Sequence, residues 1–443
     1  VDSIPTQVRT LGPAEHPSPL GYGDGAGPHF VDEADRVVLN VSQSDACRYL
    51  EDGQMPPAFE TAGPRRRLFF DPTSLRAAVV TCGGLCPGIN DVIRAIVLQL
   101  YHVYGCRDVV GIRFGFQGLI PAYGYEPLPL TPPQVVDIHQ QGGTILGSSR
   151  GAHTPAELVD GLERLGVQVL FAVGGDGTLR GVDSLSREIA RRGLRIGVVG
   201  VPKTIDNDIH LVEKSFGFDT AVEAAARVIA AAHIEADGAV NGIGLVKLMG
   251  RRAGFIAAMA TLCMREVNFV LVPEVPTRLE GPDGLLAALE QRLAERGHAV
   301  IVVAEGAGQE FFAGQDFGAD ASGNRHLGDI GRELQRFLTA HFQGKGIDVN
   351  LKYIDPSYFI RAQPANANDS IYCGFLGQYA VHAGLAGRTG VVISRWNNRF
   401  VHLPVEAVVM SHRRLDPAGS LWRSVLESTG QPAWPAPPVE SEV

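Results

Sequence analysis

The stretch Val169-Leu170-Phe171-Ala172-Val173-Gly174-Gly175-Asp176-Gly177-Thr178 decides how this chain is read. Its first five residues are apolar without alternation, which predicts a strand buried on both faces. Glycines follow at once, and a helical pattern runs over 179–191. Strand, glycine turn and helix in that order make half of a βαβ unit. Working outward, short Val- and Ile-rich runs alternate with longer helical patterns. Strands are predicted over 75–80, 109–112, 167–173, 195–199, 243–248 and 299–304. Helices are predicted over 90–103, 134–140, 156–165, 179–191, 220–233, 253–264, 285–295, 327–342 and 370–385. The alternation implies an α/β fold with two doubly wound parallel-sheet domains.

Residues 1–72 lack sustained periodicity and read as an N-terminal arm lying on the main body. The arm holds a glycine-rich run, Leu20 to Pro28, and a basic run, Arg65-Arg66-Arg67. The basic run reads as a solvated turn, with a phosphate or partner site as the sharper alternative. The expected division places one domain at 73–217 plus 372–443 and a second at 218–371.

Composition narrows the function. The 443 residues are 45% apolar, 20% charged and carry a net charge of −9. That balance supports a core and argues against a broad nucleic-acid surface, which needs clustered positive charge. No apolar run approaches the ~20 residues of a membrane span. The start, Val1 to Pro19, lacks the basic-then-apolar order of a secretory signal. Six cysteines make no disulfide framework, and Cys82 and Cys86 have no second pair at zinc spacing. Reduced structural thiols in a cytoplasmic protein are expected.

In parallel sheets ligands bind beyond the carboxyl ends of strands, so the loops there carry the chemistry. Thr81 to Asn90 is glycine-rich and opens a helix, which suits phosphate, yet it lacks the Gly-Lys-Ser/Thr of a Walker A loop. Gly174 to Thr178 sets a carboxylate, Asp176, among glycines at a helix start, which suits Mg²⁺ bridging nucleotide phosphates. Pro202-Lys203-Thr204-Ile205-Asp206-Asn207-Asp208 gathers two carboxylates, a hydroxyl, an amide and a lysine. One carboxylate can serve as general base and the lysine can neutralise a moving phosphoryl group. Arg251, in Met249-Gly250-Arg251-Arg252, and Arg361 can clamp a sugar phosphate. Glu305 can accept sugar hydroxyl protons. Arg150, in Gly147-Ser148-Ser149-Arg150-Gly151, can reach the donor phosphates. No histidine pair has metal spacing.

Taken in order, GGLCPGIN, GGDGT, PKTIDND, KLMGR, AEGAG and YIDPSYFIRA resemble the phosphofructokinase family over about residues 75–415. GGDGT alone is shared with NAD and diacylglycerol kinases, whereas PKTIDND with MGR is specific. The arm and YIDPSYFIRAQPANAND resemble the plant and trypanosomatid ATP-dependent branch, itself close to pyrophosphate-dependent enzymes. The resemblance implies ATP-dependent phosphorylation of the 1-hydroxyl of fructose 6-phosphate with Mg²⁺. Asp206 would be the base, with Asp208, Lys203 and Gly177 completing the catalytic set, and Asp176 would hold the metal. Gly84, Arg150, Gly151, Gly175, Asp176, Gly177 and Thr178 would bind ATP. Thr204, Asp206, Met249, Gly250, Arg251, Glu305, Tyr358 and Arg361 would bind the sugar phosphate. A homo-oligomer, dimer or tetramer, is implied, because a neighbouring subunit completes the sugar site in this family.

Donor choice turns on two residues. Similar pyrophosphate users carry Asp where Gly177 stands, and that carboxylate would crowd and repel ATP. Lys203 is typical of pyrophosphate users, and Gly with Lys is the pairing of the plant and trypanosomatid ATP branch. ATP is therefore expected, with a pyrophosphate-dependent phosphotransferase as the alternative. A non-catalytic nucleotide or sugar-phosphate sensor is a third reading, disfavoured because Asp176, Asp206 and Asp208 are all kept. Two departures from the bacterial ATP enzymes stand out. Gly242 occupies an arginine position, and Ala367 and Ser370 occupy a His and an Arg position, so the 6-phosphate clamp is expected to use Tyr358 and Lys352. Carry-over of the bacterial allosteric behaviour is not implied.

Overall fold

The computed structural model describes residues 4–21, 30–151, 153–319 and 325–434. The chain forms two compact units. The first takes in residues 1–204, 209–217 and 362–412, the second residues 205–208, 218–361 and 413–443. The arm thus groups with the first unit, and the chain from Arg413 groups with the second.

The first unit holds a nine-stranded sheet. Its spatial order is Arg36–Val38, Ala58–Thr61, Arg399–Pro404, Val391–Trp396, Gly197–Pro202, Val169–Gly174, Arg76–Thr81, Asp108–Ile112 and Leu128–Pro129. The five strands from Val391–Trp396 to Asp108–Ile112 pair in parallel, and the outer ones pair antiparallel. Numbered along the chain, the parallel strands stand in the order 2-1-3-4-5. The order reverses between Arg76–Thr81 and Val169–Gly174, the place where such sheets bind ligands.

Alternation along Val169–Gly174 sends side chains into two cores. Leu170 and Ala172 join Leu158, Leu162, Leu179 and Val182 of helices Pro155–Arg164 and Asp176–Arg191. Phe171 faces helix Ala367–Leu385, where a Cβ on Gly384 would lie 3.1 Å from its ring. Burying one such side chain contributes ~1.5–3 kcal/mol. Both faces are covered, which is why the strand has no polar position.

The second unit is built on four parallel strands, in the order Phe269–Leu271, His298–Ala304, Gly242–Leu248 and Asn350–Ile354. The Ala-rich helix Phe218–Asp237 packs on this sheet and against helix Phe255–Met264. Its small side chains permit close approach: a Cβ on Gly244 would lie 2.8 Å from the Ala232 carbonyl oxygen. Among the described residues no helix is long and apolar enough to cross a membrane.

Three local expectations are corrected. The helix expected over 134–140 is one turn, Pro132–Val135, and a 3-10 turn, Ile138–Gln140. The arm carries helix Gln43–Glu51 and two strands that extend the large sheet. Of the basic run, Arg66 and Arg67 are exposed as expected, but Arg65 is 1% exposed and is not a solvated residue. Its guanidinium donates to Glu60 and to the Val31, Asp32 and Thr61 carbonyl oxygens. Of the glycine-rich run Leu20 to Pro28, residues 22–28 lie outside the described residues. Cys82, Cys86, Cys106 and Cys373 are buried thiols, while Cys47 and Cys263 are exposed.

Candidate active site

In the first unit the loops after three neighbouring strands meet. Cys82 N–H donates to the Val173 carbonyl oxygen at 3.0 Å, and Lys203 N–H to that of Gly174 at 3.0 Å. The Lys203 ammonium donates to the Gly84 carbonyl oxygen at 2.7 Å. The segment carrying Arg150 and Gly151 joins them. Gly83 N–H donates to Ser149, and Ser148 Oγ donates to the Gly83 carbonyl oxygen at 2.6 Å. Gly84, Arg150, Gly151, Gly175, Asp176, Gly177, Thr178 and Lys203 therefore cluster at the switch point.

Helix Asp176–Arg191 starts inside this cluster with Gly175 as extended N-cap. Its first-turn N–H groups and dipole favour anionic ligands. The three glycines differ in their reasons. A Cβ on Gly174 would lie 2.1 Å from Thr178 Oγ1, and one on Gly175 would lie 3.2 Å from the Lys203 carbonyl oxygen. A Cβ on Gly177 would meet nothing within 4 Å, so packing does not require glycine there.

Asp176 sits in the first helical turn, and Arg180 Nε donates to its Oδ2 at 3.1 Å. Exposed i,i+4 pairs are weak and exchange readily. Mg²⁺ is usually held by one or two carboxylates plus substrate phosphates and waters. One carboxylate in the first turn of a helix whose start suits phosphate fits that pattern. Among the described residues no group of three or more His, Cys, Asp or Glu side chains could hold a metal alone.

The second unit carries the other cluster. Leu248 and Ala304 are in register on adjacent strands, so the loops after them start side by side. Glu305 N–H donates to Leu248 at 2.9 Å, and Gly306 N–H to Gly250 at 3.1 Å. Arg251 N–H reaches Asp206 Oδ2 at 3.5 Å. Burial, then the charges of Asp208 and Glu305, push the Asp206 carboxyl up to about 8, against the pull of Arg251 and Arg361. Burial also raises Glu305, with Arg251, Lys247 and Arg361 opposing. Arg361 ends a short turn anchored by buried Ile360, its guanidinium 4.7 Å from the Tyr358 ring centroid. Tyr358 is 71% exposed. Asp206, Asp208, Arg251, Glu305 and Arg361 are thus linked electrostatically, and Gly250 shapes the loop that offers the Arg251 N–H.

Thr204 lies in the first unit, its carbonyl oxygen accepting from Ser215 Oγ at 2.6 Å. Met249 is half-buried. Lys352 is exposed in mid-strand, on the opposite face from Tyr353. A Cβ on Gly242 would lie 2.0 Å from the Ala236 carbonyl oxygen, so helix packing excludes any side chain there.

Lys247 was missed in the sequence. Its ammonium pairs with Asp355 at 2.7 Å and Asp329 at 3.2 Å, and Tyr353 OH donates to Asp329 at 3.2 Å. Burial lowers the Lys247 pKa, but these partners outweigh it and hold it above its usual value. A lysine in the otherwise apolar strand Gly-Ile-Gly-Leu-Val-Lys-Leu was the available signal.

A family model described as Phosphofructokinase matches residues 76–384. The chain is 48% identical over 441 residues to an ATP-dependent 6-phosphofructokinase of Borreliella burgdorferi, covering 97% of this chain and 98% of that one. It is 46% identical to ATP-dependent 6-phosphofructokinase 7 of Arabidopsis thaliana, covering 88% and 81%. An ATP-dependent 6-phosphofructokinase of Trypanosoma brucei brucei is 44% identical, with 96% and 87% covered. Among solved structures, a pyrophosphate-dependent phosphofructokinase from Marinobacter aquaeolei shares the fold. Its TM-score is 0.65 at 18% identity, with 82% of this chain and 92% of that one covered.

Proposed function

We propose, from the premise that this chain belongs to the phosphofructokinase family, that it transfers the terminal phosphoryl group of ATP to the 1-hydroxyl of fructose 6-phosphate. The observation that carries this reading is the Asp206 carboxyl, raised by burial and by Asp208 and Glu305 toward the range a general base needs near neutral pH. A second reading, pyrophosphate as donor, is favoured only by Lys203; the open space at Gly177 favours ATP.

In this reading Asp206 accepts the hydroxyl proton and Asp208 supports the charge on the loop. Arg251 and Arg361 hold the sugar phosphate, Glu305 orients its hydroxyls, and Met249, Gly250, Tyr358 and Thr204 shape the sugar site. Gly84, Arg150, Gly151 and the helix start at Gly175 to Thr178 bind the donor phosphates, and Lys203 offsets their charge. Asp176 would hold Mg²⁺, which when bound neutralises charge on the transferring group. A cytoplasmic homo-oligomer, dimer or tetramer, completes the reading. Initial rates with fructose 6-phosphate and Mg²⁺, with ATP and pyrophosphate tested side by side, decide the donor. Turnover with ATP alone is expected, and turnover with pyrophosphate alone would overturn the donor assignment.

A further inference from the structure

The strand Gly242–Leu248 is apolar except at Lys247, whose side chain is 15% exposed. A position that only had to pack there would take Val or Ile. Replacing an ion pair shielded from water by apolar residues is often neutral or stabilising. The lysine therefore calls for a reason other than stability.

Register supplies one. Val246 stands opposite Ile354 on the neighbouring strand Asn350–Ile354, which sets Lys247 beside Asp355, the first residue past that strand. The two oxygens of Asp355 have separate tasks. Oδ2 takes the Lys247 ammonium at 2.7 Å. Oδ1 accepts from the Ser357 N–H at 3.1 Å and from the Ser357 hydroxyl. The turn continues with Phe359 N–H donating to Pro356 at 2.6 Å and Arg361 N–H to Tyr358 at 3.3 Å. These local bonds hold the turn's own shape, and Lys247 ties that shape to the strand. The ammonium is itself fixed. It donates to Asp329 Oδ1 at 3.2 Å, and Asp329 caps helix Ile330–Gly344 by accepting the Arg332 N–H at 3.3 Å. Arg361, at the far end of the turn, acts by its charge on both Asp206 and Glu305, so a shift of the turn changes the field at both carboxylates.

We propose that Lys247 is a positioning residue for Arg361: through Asp355 it sets where the guanidinium meets the sugar phosphate. The proposal rests on the reading of Arg361 as a sugar-phosphate ligand. With its ammonium engaged by two carboxylates, the lysine acts through the turn and not as a further phosphate ligand.

The test is steady-state kinetics of the full chain with fructose 6-phosphate, ATP and Mg²⁺. Lys247→Met keeps the stem and removes the tether. KM for fructose 6-phosphate should rise about ten- to a hundredfold, the scale of a displaced positioning group, with kcat and KM for ATP near the parent values. Lys247→Met with Asp355→Asn also removes the carboxylate charge left behind, which guards against a folding defect, and should show the same rise. In a cycle with Arg361→Ala, adding Lys247→Met should cost no more than Arg361→Ala alone, because nothing is left to position. Three results overturn the proposal: an unchanged KM for fructose 6-phosphate in both methionine variants, a fall in kcat with both KM values unchanged, as a merely structural lysine would give by lowering the active fraction, or losses that multiply in the cycle. Failure of the sugar-phosphate reading looks different: Arg361→Ala itself would leave KM for fructose 6-phosphate unchanged.

Discussion

The Lys203 ammonium donates to the carbonyl oxygen of Gly84 at 2.7 Å, while the Lys203 N–H bonds to Gly174. One residue, 5% exposed, thereby joins the loops after three adjacent strands. Besides the proposed neutralising of a moving phosphoryl group, the lysine's bond to Gly84 would hold that residue in place. Lys203→Met keeps the stem and removes the bond, which is worth ~1.5–3 kcal/mol when a charged group is involved. KM for ATP should rise at least about tenfold. An unchanged KM would show that Gly84 holds its place without the lysine.

Gly177 has open space where a Cβ would project, so Gly177→Asp should fold normally. Its melting temperature should stay within about 2 °C of the parent, as for a surface substitution. ATP use should nonetheless fall at least about tenfold through crowding and like charge. Steady-state kinetics beside a melting curve checks both halves. A large drop in melting temperature would return Gly177 to a packing role.

Strands buried on both faces were legible because burial removes polar alternation, as at Val169 to Val173. Shorter or one-sided strands were not. Phe269–Leu271 has three residues, Val391–Trp396 carries Ser394 and Arg395 in a short apolar run, and Arg399–Pro404 pairs antiparallel and starts exposed. The loops that meet at the switch point stood out because glycine and a carboxylate are concentrated there in short stretches. Lys247, Asp329, Asp355 and Tyr353 come from three separate segments, and only the fold joins them. Arg65 misled for the same reason: Arg-Arg-Arg looks solvated until Glu60 and three carbonyl oxygens are placed around it.

Glu60 gives the next prediction. It accepts from Arg65 at 3.0 Å, from Arg388 at 2.9 Å and from His402 Nδ1 at 2.9 Å. Burial pushes its pKa up, but hydrogen bonding from His402 and the charge of Arg388 override it and hold the carboxyl far below its usual range. Its stabilisation is complete above the unfolded value near 4.5 and fades as pH falls through acid. Glu60→Ala leaves Arg65 and Arg388 buried without this partner, so it should cost ~3–5 kcal/mol at neutral pH. Urea melts at pH 7 and pH 4 check this: the deficit should be smaller at pH 4. A deficit independent of pH would mean that shape, not charge, holds the arm.

Asp206 makes the opposite pH demand. Its pKa is raised by burial and by Asp208 and Glu305, so the folded chain keeps a proton that the unfolded chain has lost. Between the ordinary 3.8 and about 8, folded stability therefore falls as pH rises. Asp206→Asn removes that penalty. The variant should match the parent near pH 4 and melt higher at pH 8 and above. The same substitution should cut turnover ~10²–10⁴-fold, the usual contribution of a positioned base. ATP binding should survive, since the donor loops belong to the first unit. In the parent chain, kcat/KM for fructose 6-phosphate should decline as pH falls below about 8, because only the carboxylate accepts a proton. A variant that gains stability and loses turnover would assign both effects to this one carboxylate, as expected where a strained site trades stability for activity. Near-normal turnover in Asp206→Asn would remove it from the role of base, whatever happened to the melting curve.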